Sequence, residues 1–129
     1  MYSHGLQGSV AFGHDALRNR TLAKLRWPIT KGVIQDWDAM EKVFLHTFAS
    51  LNVDPLNVGL PVLVTEPVMN PKANRERTVE LLIEGFGATK VFLCMAAEAA
   101  MLGCGKASAT VVCSGHGETA VVPIVERCV

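Results

Sequence analysis

Apolar positions along the chain recur in two rhythms. Val62-Leu63-Val64, bounded by Pro61 and Pro67, and Val91-Phe92-Leu93-Cys94-Met95 are short continuous runs. Runs of this kind between chain breakers predict buried strands. Val79, Leu82, Ile83 and Phe86 instead recur at helical spacing, as do Trp37, Met40, Phe44, Phe48 and Leu51, and each set predicts an amphipathic helix with one apolar stripe. The signals are densest over residues 61–86. Asn70 is placed to accept a backbone N–H as N-cap, and Pro71 at the first helical position loses no needed donor. Gly85 and Gly87 supply the stop. The pattern predicts a helix over 71–84, ~21 Å long at ~1.5 Å per residue. Asp36 reads as the N-cap of the earlier helix, with Asp38 favourable to its dipole.

Around these elements, residues 1–8 read as loose, and Pro28 and Gly32 bracket a turn. Residues 52–60, with Pro55 and Gly59, read as a surface loop. Residues 96–102 form a short small-residue helix ended by Gly103-Cys104-Gly105, and residues 107–112 and 118–125 form a hairpin around Ser114-Gly115-His116-Gly117. The fold class is α/β, with three main helices and short β strands.

Pro61-Val62-Leu63-Val64-Thr65-Glu66 followed by Asn70-Pro71-Lys72-Ala73-Asn74-Arg75-Glu76 resembles the strand–loop–helix signature of the actin family. Ala11-Phe12-Gly13-His14-Asp15-Ala16 is similar to the family's short Gly-Asp-Glu-Ala segment. Arg20, Leu22, Leu25 and Arg26 keep that register up to Trp27-Pro28-Ile29 and Gly32, and Asp36 to Phe44 resembles the next family helix. The resemblance runs over 11–126 and covers a middle third of the family's usual length. It implies a partial actin-like ATPase fold of the ribonuclease H-like kind, as one truncated domain over 11–129. Within that domain, 11–32 is an outer-subdomain remnant, 33–106 a helix and strand core, and 107–126 a hairpin with a relic phosphate loop. Actins bind ATP and build filaments or sit in large complexes, so the resemblance also implies a cytoplasmic, cytoskeletal location.

Composition narrows the function classes. Half of the 129 residues are hydrophobic, which argues against disorder. Lys plus Arg equals Asp plus Glu at 12 each, so no electrostatic footprint points to nucleic acid or an anionic membrane. No apolar run reaches the ~20 residues of a spanning helix. The start, MYSHGLQGSV, lacks the order of a signal peptide, so the chain reads as intracellular and the Asn19-Arg20-Thr21 sequon as idle. Cysteines 94, 104, 113 and 128 show no Cys-x-x-Cys spacing and read as reduced, mostly buried thiols.

The resemblance also locates the chemistry. Ser114-Gly115-His116-Gly117 matches the family's second phosphate loop, in which glycines let backbone N–H groups approach phosphate oxygens. It implies Ser114, Gly115 and Gly117 as the residues that would hold a phosphate of ATP or ADP. The family's two loop aspartates are replaced by Cys113 and His116, and thiol and imidazole are poor partners for magnesium. Ala96 stands where the family has its water-positioning glutamine, and a methyl group cannot orient an attacking water. Lys31 replaces the histidine that usually precedes Gly32. The expectation is therefore no catalytic residue, no metal ligand and no ATPase activity.

Other motifs do not displace this reading. Gly105-Lys106-Ala107 is not a Walker A loop, because Ala100 and Ala107 stand where a glycine and a hydroxyl residue are required. Cys113 and His116 lack a third orienting group for a thiol nucleophile. His46 reads as a helix residue making a local hydrogen bond. Lys72, Arg75, Glu76 and Arg77 read as a solvated helix face that in the family can also touch partners. The expected function is a non-catalytic actin-like protein acting through protein contacts in a cytoskeletal or motor-associated assembly. The alternatives are a residual ATP or ADP binder, or a degenerate fragment with no independent role. Continuous apolar strands without their family neighbours leave edges open, so the expected partner is a protein, or a second copy, reached through exposed strand edges.

Overall fold

In the computed structural model, which describes residues 2–5, 10–18, 21, 23–115 and 117–126, contacts group the chain into two units. The first is Met1–Thr30 with Ile34–Val58, the second Lys31–Val33 with Gly59–Val129.

In the first unit, β1 (Tyr2–Gly5) is the middle strand of an antiparallel sheet, flanked by β2 (Val10–Phe12) and β3 (Ala23–Arg26). This corrects the expectation of a loose segment at residues 2–5. Those residues carry little apolar alternation, and their order comes from two partner strands that a local window does not see. A short helix, α1 (Gly13–Arg18), follows β2. Two-residue strands β4 (Ile29–Thr30) and β5 (Val33–Ile34) flank a turn at Lys31-Gly32. Both turn residues have positive φ, 48° and 75°, as a two-residue type I′ hairpin turn requires.

Helix α2 (Trp37–Ser50) starts as its sequence predicts: the Asp36 carboxylate accepts the Ala39 N–H at 3.0 Å. It ends in a Schellman motif. Asn52 takes φ 56° and donates to the Ala49 carbonyl, and Val53 N donates to the Phe48 carbonyl at 3.0 Å. Ala39 and Phe48 are buried, and Trp37, Met40 and Phe44 are half-buried. Leu51 departs from the expected stripe: it is the C-cap and lies 64% exposed. His46 stacks on Phe12 with ring centroids 4.3 Å apart.

The second unit contains a parallel β-α-β element. Strand β6 (Pro61–Glu66) leads into α3 (Lys72–Glu80), and β7 (Lys90–Met95) returns parallel to β6 with Leu63 opposite Phe92. The helix begins within the expected bounds, but its cap and its last turn differ. Pro71 is the N-cap, with no side-chain capping bond; Asn70 Nδ2 donates to Glu66, and its Oδ1, the atom a cap would use, is buried without a hydrogen-bond partner. Residues Leu81–Gly85 continue as a π turn in which Phe86 N donates to the Leu81 carbonyl at 3.1 Å. Thr78, Leu82 and Phe86 are buried, Val79 is half-buried and Ile83 is 44% exposed.

Helix α4 (Ala96–Gly103) follows β7 directly and closes in a second Schellman motif, with Gly105 at φ 68° and Lys106 N donating to the Met101 carbonyl. Strands β8 (Ala109–Ser114) and β9 (Thr119–Ile124) form an antiparallel hairpin. Ala97 and Met101 of α4 pack with Val122 and Ile124 into a core ringed by Val68, Ala109, Val111 and Ala120. Among the described residues β6 and β7 pair only with each other, and so do β8 and β9, leaving each strand one open edge. One face of each sheet is also bare: the cross-strand pairs Leu63–Phe92 and Val112–Val121 are each 62% exposed.

Candidate functional site

Ser114 closes β8, so the hairpin loop is 115–118 and begins one residue later than the sequence pattern suggested. The Ser114 hydroxyl lies 2.9 Å from Thr119 Oγ1 across the hairpin. Gly115 N–H donates to the Glu118 carbonyl at 3.0 Å. Two of the groups expected to meet a phosphate are thus engaged within the hairpin. His116 lies outside the described residues. Cys113 pairs with Ala120 on the half-buried side of the hairpin, the same side as Val111 and Ala109.

The loop faces the Lys31-Gly32 turn. A Cβ built on Gly117 would lie 3.7 Å from Lys31 N, and one on Gly32 would lie 2.6 Å from Glu118 Oε1 and 2.8 Å from Pro67 Cβ. Gly32 is therefore required twice, by its positive φ and by this close approach. The same approach sets the Glu118 carboxylate against the Lys31-Gly32 turn, and like charge opposes an anion there. Lys31 meets Gly117 through its backbone, and the residue is exposed on the turn. Two engaged groups and an adjacent Glu118 fit a nucleotide phosphate poorly. Among the described residues no three His, Cys, Asp or Glu side chains come together as a metal set.

A polar cluster that sequence reasoning missed ties β6 to α3. Glu66 ends the strand with only 8% of its surface exposed. Its Oε1 accepts from Arg75 Nη2 at 3.0 Å and its Oε2 from Asn70 Nδ2 at 3.0 Å. A buried carboxylate needs such a partner. The spacing Glu66, Asn70, Arg75 across a strand-to-helix turn was the available signal, but amphipathic periodicity alone sets Arg75 on the solvated face. Lys72, by contrast, does lie in solvent, 3.6 Å from Glu76.

The three described cysteines are unpaired and unequal. Cys94 is buried, Cys113 half-buried and Cys104 exposed, so the expectation of mostly buried thiols holds for Cys94 alone; Cys128 lies outside the described residues. Burial, and then the Glu98 carboxylate 4.0 Å away, push the Cys94 thiol above its ordinary pKa. Ala96 opens α4 and offers no polar atom to an attacking water.

The actin family profile matches residues 2–129, the described sheet of the first unit included. Centractin of Saccharomyces cerevisiae is 36% identical over 121 residues, which is 93% of this chain and 31% of that protein. The chain thus spans about a third of the length of that relative. A profile covering the strand–loop–helix signature, the hairpin and both units leaves one assignment: the chain belongs to the actin family.

Proposed function

We propose that this chain works by protein contact, as a non-catalytic actin-family component of a cytoskeletal or motor-associated assembly in the cytoplasm. The observation that carries the reading is the bare side of both sheets in the second unit. Leu63 and Phe92 lie side by side on one, Val112 and Val121 on the other. Large exposed apolar pairs beside open strand edges favour pairing with another chain. Helix α4 covers one face of the β8–β9 hairpin, and the second face, with Val112 and Val121, is left to solvent. The surface expected to meet a partner is therefore the β8–β9 hairpin together with β7.

Ala96 and Cys113 support the non-catalytic half of this reading, since neither supplies the hard oxygen or amide that phosphoryl transfer needs. Removing one well-placed transition-state donor costs ~100-fold or more in rate, so the expected turnover with magnesium and ATP is indistinguishable from background. Sustained phosphate release from the purified chain would refute it.

A residual nucleotide site is the second reading, favoured by the glycines at which the hairpin loop and the Lys31-Gly32 turn approach closely. A thermal melt with ATP separates the two, because a native-state ligand at ~100-fold its Kd stabilises by ~2.7 kcal/mol. An unchanged melting temperature at millimolar ATP supports the protein-contact reading. A clear rise supports the nucleotide site.

A further inference from the structure

Charge is spread unevenly along the chain. Residues 16–30 hold Arg18, Arg20, Lys24 and Arg26 and no acidic residue, although acidic and basic residues balance at 12 each overall. The stretch contains β3, an edge strand of the first unit. It pairs with β1 on one side, and among the described residues no strand pairs with the other. Side chains alternate along a strand, so Lys24 and Arg26 share one face, both exposed, and Leu25 is half-buried on the opposite one. Trp27 follows directly, 51% exposed. The acidic groups that reach this surface neutralise little of it. Arg26 lies 3.5 Å from Asp36 and Arg18 lies 3.9 Å from Asp15, with both arginine side chains more than half exposed. Solvated pairs of this kind are weak and exchange readily. Asp36 already spends its other oxygen on the Ala39 N–H. Lys24 has no ion pair among the described residues.

We propose that β3 takes an acidic, extended segment of another protein as an added strand. The open edge offers backbone groups that only an extended polypeptide matches in register. Lys24 and Arg26, two residues apart on one face, then face carboxylates at alternate positions of the added strand, and Trp27 meets an apolar side chain beyond them. A lysine on an edge strand discourages pairing with neutral or basic strands, so the same residue that blunts the edge selects an acidic partner. A second copy does not supply that partner. Its β3 repels this one by like charge, and Glu66 is the only acidic residue in any described strand. A nucleic acid offers the charge but not the backbone ladder. This surface belongs to the first unit, so it stands or falls apart from the sheet faces of the second unit described above.

The test is fluorescence anisotropy of labelled probes titrated with the full chain, with a circular-dichroism melt of each variant to confirm folding. The probes are the peptide Glu-Val-Glu-Phe-Glu-Val, its charge-reversed form Lys-Val-Lys-Phe-Lys-Val, and a short single-stranded oligothymidine. The acidic peptide is expected to bind, less tightly in high salt, and the basic peptide not to bind. Lys24→Glu should weaken binding by roughly tenfold or more, since it turns attraction into repulsion. Arg77→Glu, the same change of charge on an exposed residue of α3, should leave binding unaltered. N-methylation of the acidic peptide along one of its two alternating sets of residues should abolish binding, because the added strand then loses its ladder donors. No binding of the acidic peptide at millimolar concentration would overturn the proposal. So would equal binding of the basic peptide, tighter binding of the oligothymidine, equal loss in Lys24→Glu and Arg77→Glu, or indifference to N-methylation of either set.

Discussion

Replacing Arg75 by methionine tests whether the Glu66 cluster holds β6 to α3. Glu66 is 8% exposed and lies 3.0 Å from the guanidinium. At an effective dielectric of about 20, that separation gives a gross attraction of about 5 to 6 kcal/mol. Most of it offsets the desolvation of the carboxylate. Removing one partner of a buried pair costs about 3 to 5 kcal/mol, because the other charge stays buried without compensation. Here the arginine side chain is half in water and the Asn70 amide still donates to Glu66. The expected loss for Arg75→Met is therefore about 2 to 3 kcal/mol, below that range. Urea unfolding followed by circular dichroism reads this as a midpoint lowered by roughly 1 to 1.5 M, for a slope near 2 kcal/mol/M. Glu66→Gln keeps the shape and removes the charge, and should cost less than about 1 kcal/mol. The double variant should sit above Arg75→Met alone, with a coupling of about 1 to 2 kcal/mol. An Arg75→Met variant within about 0.5 kcal/mol of the parent, the ordinary range of surface changes, would show that Arg75 belongs to the solvated face after all.

Gly32→Ala forces a Cβ at φ 75° to within 2.8 Å of Pro67 Cβ; it should cost about 2 to 4 kcal/mol in a thermal melt, whereas Gly117→Ala meets nothing closer than 3.7 Å and should cost far less. Met101→Ala empties the core beneath the β8–β9 hairpin and should cost about 2 to 5 kcal/mol in urea, against under about 1 kcal/mol for the partly exposed Ile83→Ala. With its thiol pKa raised, Cys94 should react with iodoacetamide much more slowly than exposed Cys104, as peptide mapping would record. The same shift has a sign in stability. Above the unfolded thiol pKa of about 8.5 the unfolded chain loses a proton that the folded chain keeps, so this group lowers stability as pH rises from there towards its folded pKa. Cys94→Ala should flatten that alkaline decline in urea titrations, and an unchanged slope would remove Cys94 as its cause.

The sequence alone determined the elements whose causes are local. Asp36 caps α2, the 62–64 and 91–95 runs become β6 and β7, and Gly105 ends α4, because capping, apolar periodicity and left-handed glycine act within a few residues. The NPKANRE stretch was legible in the same way, and so was the resemblance that the family profile bears out. Tertiary structure decided the rest. Asn70 does not cap α3, and its Nδ2 donates to Glu66 at 3.0 Å across the turn out of β6. Arg75 turned from solvent to a buried carboxylate for the same reason. Residues 2–5 became a strand because two other segments supplied its hydrogen bonds, and Thr78 is buried beside the expected Leu82 and Phe86 while Ile83 is left exposed. At the phosphate loop, substitution could be read from the chain, but the pairing of Gly115 with Glu118 and the approach of Lys31 to Gly117 could not. Hydrogen-bond partners and close approaches depend on which remote atoms share a space, and a linear pattern of polar and apolar residues does not encode that.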